Sequence, residues 1–421
     1  MKIAVFSPKF SELGTFNSQK FLILKSQYDQ LGHEVSYFDY PDFSCEEILQ
    51  ELVSKMTSSG FDKIAFMPFK DSSFVFVREF ISRLKLSVSI VFHLDGNFIF
   101  HSLKWSKLEP TLKDRTIELV CSSESQRKLI QRFLPSNYTV ELLSPSLSAK
   151  PILYDAKTIE ELRSKYCVSE DDVIFICTGS MERQKYILEL SKVFFKLSEQ
   201  LNIKAHLWLV GEFNDTGIPL AGRSQLPFEY YQQWTNLESV FGENLKLRFF
   251  DSPTDQNLDL YYQCSDFYLN LSTIDNDDFN YDVLEAYRNG LDLILSSWGS
   301  HLDFNVVDST KQVPLNLDAP FLHPNMNAFA KLFITSSLHS KRLSKDRRLE
   351  RIGKSLEHFS IDKSLKQLAS ILASRKVFPG FNDELDKVCD SFEKNPYAPF
   401  VDIASLGAYN QTYKNIYASY F

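Results

Sequence analysis

The chain has 421 residues, too many for one ordinary domain and enough for two domains of about 150 to 200 residues each. Hydrophobic residues make up 44% of it and charged residues 24%, and the formal net charge of -8 argues against a surface drawn as a whole to nucleic acid or to an anionic membrane. Its six cysteines form no C-x-x-C pair, so we expect reduced thiols and neither a disulfide framework nor a zinc site.

The first half of the chain alternates between short apolar runs and amphipathic segments. Strands are predicted at residues 3–6, 34–38, 63–67, 87–92, 117–123 and 140–143, and helices at residues 17–31, 45–56, 72–84 and 124–133. Such alternation predicts a doubly wound parallel sheet. The first apolar run is too short for a signal peptide, and no run is long enough to span a membrane, so we expect a soluble, cytoplasmic protein.

Two positions in the first half lie where a parallel sheet binds ligands. The loop after the first strand holds one glycine, Gly14, and no G-x-G-x-x-G, so a nicotinamide enzyme is disfavoured. His93 follows the fourth strand directly, at the carboxyl end where side chains face the crevice. It either hydrogen-bonds a ligand or packs within a loop, and the spacing alone does not decide between these alternatives.

The second half repeats the alternation. Strands are predicted at residues 173–177, 206–210, 245–250, 267–271 and 291–296, and helices at residues 159–166, 184–201, 258–264, 281–289 and 326–338. No strand is expected after Asp303. Lys185 is predicted in the first turn of the helix 184–201, just after the break at Gly179 and Ser180. A phosphate there would meet backbone N–H groups, a helix dipole and an ammonium, although the same residues also suit a solvated helix start.

Two acids flank the turn from the fourth strand of this half into its helix. Asp277 lies in the acidic loop at the strand end, and Glu285 lies eight positions further on, inside the helix that Gly290 ends. Because ligands bind at the carboxyl ends of parallel strands, both carboxylates can point into one crevice. The stretch 271–303 is therefore a candidate site.

The residues of this stretch resemble the E-x7-E signature of retaining GT-B glycosyltransferases of the glycogen-synthase-like group, as in glycosyltransferase family 4. The matching positions are Ser272, Asp277, Phe279, Glu285, Ala286, Gly290 and Gly299. The chain departs from the signature where Asp277 replaces its first glutamate and Leu291-Asp292 stands where a residue followed by proline is usual. Ser180 holds the place of the arginine that follows Gly179 in the group, and Arg183 is a candidate to supply the missing guanidinium.

The resemblance implies a GT-B fold, an α/β architecture of two Rossmann-like doubly wound domains that face each other across a cleft. It implies that Lys185 stabilises the diphosphate of a nucleotide sugar and that Glu285 holds the ribose hydroxyls. It implies that Asp277 positions the transferred sugar with the Phe279-Asn280 backbone, and that His93 contacts the donor. The other substrate-binding positions expected are Gly14, Gly179, Ser180, Arg183, Gly211 and Gly299. Enzymes of the group retain anomeric configuration and use neither a divalent metal nor a cofactor.

We expect three segments: an acceptor-side domain at 1–148, a nucleotide-sugar domain at 149–355, and helices with an aromatic tail at 356–421 that return to the first domain. The basic stretch 339–354 is predicted to be a solvated helix face and not an RNA or membrane patch. The expected partners are a nucleotide sugar and a glycan, lipid-linked or protein acceptor, without nucleic acid; peripheral membrane contact and oligomerisation stay open. The alternatives are a non-catalytic GT-B-like subunit or glycan-binding module and, less favoured, a sugar-nucleotide epimerase.

Overall fold

The structure is a computed structural model. It describes residues 1–8, 15–41, 45–69, 73–147, 150–181, 183–211, 232–236, 246–250, 255–274, 278–305, 309–317, 322–339, 342–396, 399–402, 408–409 and 411–421. None of the described helices is both long enough and apolar enough to cross a membrane.

The first half forms a six-stranded parallel sheet with helices on both faces. Its strands are β1 (Lys2–Ser7), β2 (Glu34–Asp39), β3 (Lys63–Phe69), β4 (Ser89–Leu94), β5 (Ile117–Cys121) and β6 (Glu141–Leu142), and its helices are α1 (Thr15–Gln30), α2 (Glu46–Ser59), α3 (Phe74–Arg83), α4 (Ser102–Leu112) and α5 (Glu124–Gln131). The strand order is β2-β1-β3-β4-β5-β6. Phe6, Phe66 and Phe92 stack across neighbouring strands, with ring centroids 5.5 and 5.2 Å apart. These aromatic pairs lock the register of the central strands.

The second half forms another six-stranded parallel sheet. Its strands are β7 (Val173–Thr178), β8 (Ala205–Val210), β9 (Leu247–Phe250), β10 (Phe267–Asn270), β11 (Asp292–Ser296) and β12 (Thr310–Val313). The helices up to β12 are α6 (Ala156–Lys165), α7 (Ile187–Gln200), α8 (Asp255–Cys264) and α9 (Tyr281–Arg288). The strand order is β12-β11-β10-β7-β8-β9. Strands β7, β8 and β10 are buried throughout, which explains why they read as continuous apolar runs. The predicted fold class of two doubly wound α/β domains is confirmed.

Three expectations from the sequence are wrong. The chain does form a strand after Asp303, because β12 pairs in parallel with β11 at the edge of the second sheet. Lys185 does not lie within α7: it ends a short 3₁₀ turn, Arg183–Lys185, and Tyr186 at φ +54° separates that turn from the helix. Nor is the basic stretch wholly a solvated face. Two of its guanidiniums are buried, those of Arg348 and Arg351.

The two buried arginines lie on the helix α11 (Lys345–His358), which follows α10 (Met326–His339). Arg348 donates to the carbonyl oxygens of Tyr262, Asn289 and Ser265. Arg351 pairs with Asp292 at 2.6 Å. Buried arginines of this kind complete the hydrogen bonds of a neighbouring helix end and strand start, so they hold α11 on the second sheet.

The last part of the chain packs on the first half. Leu368 and Ile371 of α12 (Ile361–Ala373) share a buried cluster with Ile3 and Val5 of β1. Helix α13 (Asp383–Lys394) contributes side chains to the main core of the first half. The helix α14 (Gln411–Ile416) and the 3₁₀ turn Tyr417–Tyr420 follow. These contacts agree with the expected return of residues 356–421 to the first domain. The domain boundaries at residues 148 and 355 stay predictions.

Candidate functional site

The carboxyl edge of the second sheet is built on two glycines that touch. Gly179, after β7, donates its N–H to Val210 O at 3.0 Å, and Gly211, after β8, donates to Phe250 O at 2.9 Å. A Cβ on Gly211 would lie 1.9 Å from the Gly179 carbonyl oxygen. Only glycine fits at Gly211, so the two turns pack at the closest distance that backbones allow.

A lysine and an aspartate meet directly above Gly179. The Lys185 ammonium lies 3.8 Å from Asp282 Oδ2, and both side chains are largely buried. A Cβ built on Gly179, which has φ +91°, would lie 2.5 Å from Asp282 Oδ2 and 2.8 Å from Lys185 Nζ. Burial raises the pKa of Asp282, and the charge of Lys185 opposes that rise. Sequence analysis placed Lys185 here and missed Asp282, which lies three positions before Glu285 on the same helix face.

Glu285 is held in place by an arginine of its own helix. Arg288 contacts Glu285 Oε2 through Nε at 2.7 Å and through Nη2 at 2.6 Å, and its Nη2 also lies 2.8 Å from Asp259 Oδ1. Burial raises the pKa of Glu285, and Arg288 opposes that rise. The carboxylate is therefore oriented by one side of a planar guanidinium, and both contacts fall on Oε2.

A hydrogen-bond relay runs beneath the start of α9. Asn280 caps the helix, because its Oδ1 accepts from the Val283 N–H at 3.2 Å, and its Nδ2 donates to His301 Nε2 at 3.4 Å. His301 Nδ1 lies 2.9 Å from the Ser296 hydroxyl, which donates to Ser272 O. Burial lowers the pKa of His301 to about 4, so the imidazole is neutral near pH 7. Nothing in the sequence pattern singled out His301.

This relay lines a small pocket at the strand end. The residues that line it are Ser272, Ile274, Asn280, Trp298, Gly299, Ser300 and His301. The backbone of Phe279 is predicted to bind substrate, and its ring packs into the core against Phe304 and Phe359. The Gly299 carbonyl accepts from the Ser125 hydroxyl at 2.7 Å, which joins this edge to the first half.

The cleft between the halves is crossed by a buried ion cluster. The Lys20 ammonium, on α1, donates to Leu94 O at 2.7 Å, lies 3.1 Å from Asp95 Oδ1, and forms a shorter contact with Asp278 of the second half. Asp278 also bonds Ser122. Burial raises the pKa of Asp278, and Lys20 opposes that rise. Three charged groups separated widely in sequence thus hold the two halves together.

His93 lies beside this cluster. Its Nε2 is hydrogen-bonded to the Tyr28 hydroxyl at 2.8 Å, and the ring is buried. Burial, and then the charge of Lys20, lowers the pKa of His93 to about 3, so the ring is neutral. Lys20, His93, Ser122 and Tyr281 all line a small cavity whose walls come from both halves.

The structure describes only some of the remaining predicted site residues. Gly14 and Asp277 lie outside the described residues, and of Arg183 only the backbone is described. Ser180 is half-buried next to Gly179. The described His, Cys, Asp and Glu side chains form no group of three or more that could hold a metal.

Two parallel doubly wound sheets that face each other across a cleft define the GT-B fold, and this is the class of protein that the architecture shows. No family model matches the chain, and neither does any curated protein.

Solved structures match it over most of its length. Anabaena HepE in complex with UDP has a TM-score of 0.62 and 13% identity and covers 89% of this chain and 100% of its own. The trehalose-6-phosphate synthase OtsA gives the same four values, as does an E. coli structure bound with UDP-2-fluoro glucose. A glycosyltransferase from Rickettsia africae has a TM-score of 0.61 and 14% identity, covering 92% of this chain and 99% of its own. HepE also has a complex with UDP-glucose. At these identities the likeness shows a shared fold.

Proposed function

We propose that the chain transfers a sugar from a nucleotide-diphosphate sugar to a glycan, lipid-linked or protein acceptor, with retention of configuration and without a divalent metal. The observation that carries the proposal is the convergence of Gly179, Lys185 and the Glu285-bearing helix at one edge of the second sheet. The complexes of similarly folded proteins with UDP and UDP-glucose support a nucleotide sugar as the partner.

The chemistry that this site offers is stabilisation of the leaving group. Negative charge grows on the diphosphate as the glycosidic bond breaks, so a fixed ammonium at Lys185 acts on the transition state more than on the ground state. The Gly179 backbone lies directly beneath the Lys185 ammonium, with the Asp282 carboxylate beside it. Both arginine contacts of Glu285 fall on Oε2, so Oε1 can accept from ribose hydroxyls in the proposed complex. Asp277 with the Phe279-Asn280 backbone stays the predicted holder of the transferred sugar.

His93, predicted to contact the donor, lines the cavity between the two halves. A neutral imidazole oriented by the Tyr28 hydroxyl can exchange hydrogen bonds with sugar hydroxyls, and its low pKa keeps positive charge away from the reacting centre. The acceptor hydroxyl would enter between this wall and the edge of the second sheet.

Calorimetric titration with UDP, GDP, ADP and their glucose conjugates in EDTA tests the donor site. We expect one nucleotide to bind the wild-type protein and to bind Glu285→Gln at least about tenfold more weakly, because a charge-assisted contact to ribose is lost. Glu350→Gln is the matched control: Glu350 lies on an exposed face of α11 and pairs only with Lys354 at i,i+4 spacing among described residues. Failure of every nucleotide to bind the wild type would contradict the proposal.

Turnover separates a transferase from other uses of the same fold. Slow donor hydrolysis in EDTA, with the released sugar first appearing in the donor's own anomeric form by NMR, is expected for a retaining, metal-independent transferase. Interconversion of sugar nucleotides without release of the sugar would mark an epimerase instead.

A second candidate is a non-catalytic GT-B-like subunit or glycan-binding module. Two features of the donor edge favour it: the Asp282 carboxylate lies beside Lys185, and Ser180 stands where the resembled group has an arginine. Both reduce the positive charge available to a diphosphate. Glycan binding without hydrolysis of any donor would support this candidate over the transferase.

A further inference from the structure

The place beside Lys185 where a donor phosphate would bind is occupied by a carboxylate of the protein, that of Asp282. Asp282 Oδ2 and Lys185 Nζ both lie within 3 Å of the point where a Cβ of Gly179 would stand. Among the described side chains, Lys185 is the one cation within 4 Å of this carboxylate. Asp282 lies in the first turn of α9, where the helix dipole favours negative charge. An external phosphate that approached Lys185 over the bare glycine would therefore meet Asp282 first.

The surroundings of Asp282 offer little compensation for a second negative charge. Tyr262 of α8 and Tyr268 of β10 face it, and Glu285 lies on its own helix. Burial, with added repulsion from Asp282, raises the pKa of each tyrosine well above the usual range, so both stay neutral. Glu285 is committed to Arg288. Two anions would thus share the single ammonium of Lys185 in a buried place, which strongly favours protonation of one of them.

We propose that Asp282 competes with the donor diphosphate for Lys185, so that donor binding takes up a proton at Asp282. This inference rests on the proposed function. It makes Asp282 a positioning residue that holds the Lys185 ammonium in the empty site and releases it to the donor. The direction follows from the geometry: a diphosphate beside Asp282 raises the proton affinity of that carboxyl further, so donor affinity falls as pH rises through the range where free Asp282 ionises. Burial, which raises the pKa of the free carboxyl, brings that range toward neutrality.

Titration calorimetry of UDP-glucose tests the coupling, since its diphosphate diester carries no proton that titrates near neutrality. GDP-glucose and ADP-glucose replace it if the protein selects another base. Titrations at several values between about pH 5.5 and 8.5, each in two buffers of different ionisation enthalpy, give the protons exchanged on binding. We expect net proton uptake by the wild-type protein and an affinity that weakens by up to about tenfold per pH unit over part of this range.

Substitution separates Asp282 from other sources of the proton. Asp282→Asn should lose the uptake and bind UDP-glucose on the order of tenfold more tightly at the alkaline end of the range, because the competing charge is gone. Asp303→Asn is the matched control, since Asp303 is another buried aspartate with a raised pKa, held by the Glu124 N–H and not by Lys185. It should leave both the uptake and the affinity unchanged.

Three outcomes would overturn the inference that Asp282 competes with the donor for Lys185. Binding by the wild type without proton uptake overturns the inference while the proposed donor site stands, and it decides the matter even if Asp282→Asn does not fold. Weaker binding by a folded Asp282→Asn protein, as checked by thermal unfolding, also overturns it, because it shows that Asp282 supports the donor. Absence of binding by any nucleotide sugar at any pH overturns the inference together with the proposed function.

Discussion

The buried ion cluster in the cleft gives the sharpest prediction about stability. Replacing Lys20 with methionine keeps the length of the side chain and removes the ammonium that contacts both Asp95 and Asp278. The Lys20 and Asp278 side chains are only 4% and 6% exposed, so solvent cannot replace the ammonium. Breaking a buried pair in this way costs about 3–5 kcal/mol, so Lys20→Met should lower the free energy of unfolding by that amount in urea denaturation followed by circular dichroism.

The same helix supplies the control. Lys25 pairs with Asp29 at 2.7 Å, but both are well exposed, so Lys25→Met should cost less than about 0.5 kcal/mol. Adding Asp278→Asn to Lys20→Met should restore part of the loss, with a coupling energy of about 1–3 kcal/mol. The reasoning is refuted if Lys20→Met and Lys25→Met unfold alike, or if the two substitutions at the cluster are simply additive.

Three further predictions follow from the structure. Gly179→Ala should abolish nucleotide binding, because the added methyl group would overlap Lys185 and Asp282. Gly32→Ala is the control: Gly32 has φ +69° and nothing within 4 Å of an added Cβ, so the substitution should cost only about 1–2 kcal/mol of stability. A Gly179→Ala protein that binds nucleotide normally would contradict this prediction. Burial raises the pKa of Asp303 to about 7, so the folded protein holds a proton there that the unfolded chain has lost above about pH 4. Asp303→Asn should therefore leave the urea midpoint of unfolding unchanged near pH 4 and raise it increasingly up to pH 8. An equal shift of the midpoint at both pH values would contradict the assignment. Arg348→Met removes the guanidinium that donates to the carbonyl oxygens of Asn289 and Ser265, and one of the two donors to Tyr262 O, and should cost about 3 kcal/mol in thermal unfolding. The exposed neighbour Arg347→Met should cost less than about 0.5 kcal/mol, and equal losses would rule out the capping role.

The sheets could be predicted because their central strands are buried on both faces and appear as unbroken apolar runs. The edge strand Thr310–Val313 could not, since Val313 is its one buried residue and the other three are partly exposed. The helix Ser102–Leu112 also escaped prediction, because Pro110 lies inside it, although its buried residues Ser102, Trp105, Leu108 and Leu112 follow helical spacing.

The candidate site shows the same division. Parallel strands bring their carboxyl ends to one edge, and the resemblance to GT-B glycosyltransferases implied a common site for Gly179, Lys185 and Glu285 there. The contact of Lys20 with Asp278 joins positions 258 residues apart, and no local pattern reports such a pairing. Asp282 was missed because an acid in the first turn of a helix is ordinary, and only the close approach of Gly179 shows that its carboxylate meets Lys185.

The packing of Trp298 makes this residue a fluorescence probe of the pocket that it lines. Its indole N–H donates to Ile274 O at 3.0 Å, and its ring lies 5.1 Å from that of Tyr420 in the last turn of the chain. The chain has four tryptophans, of which Trp105 and Trp208 lie deep in the cores of the two halves. In a variant that keeps Trp298 and carries phenylalanine at the other three positions, Trp298 emission should change when a ligand moves the side chains that line the pocket. Stopped-flow fluorescence of this variant would then measure the rate of ligand binding without a label.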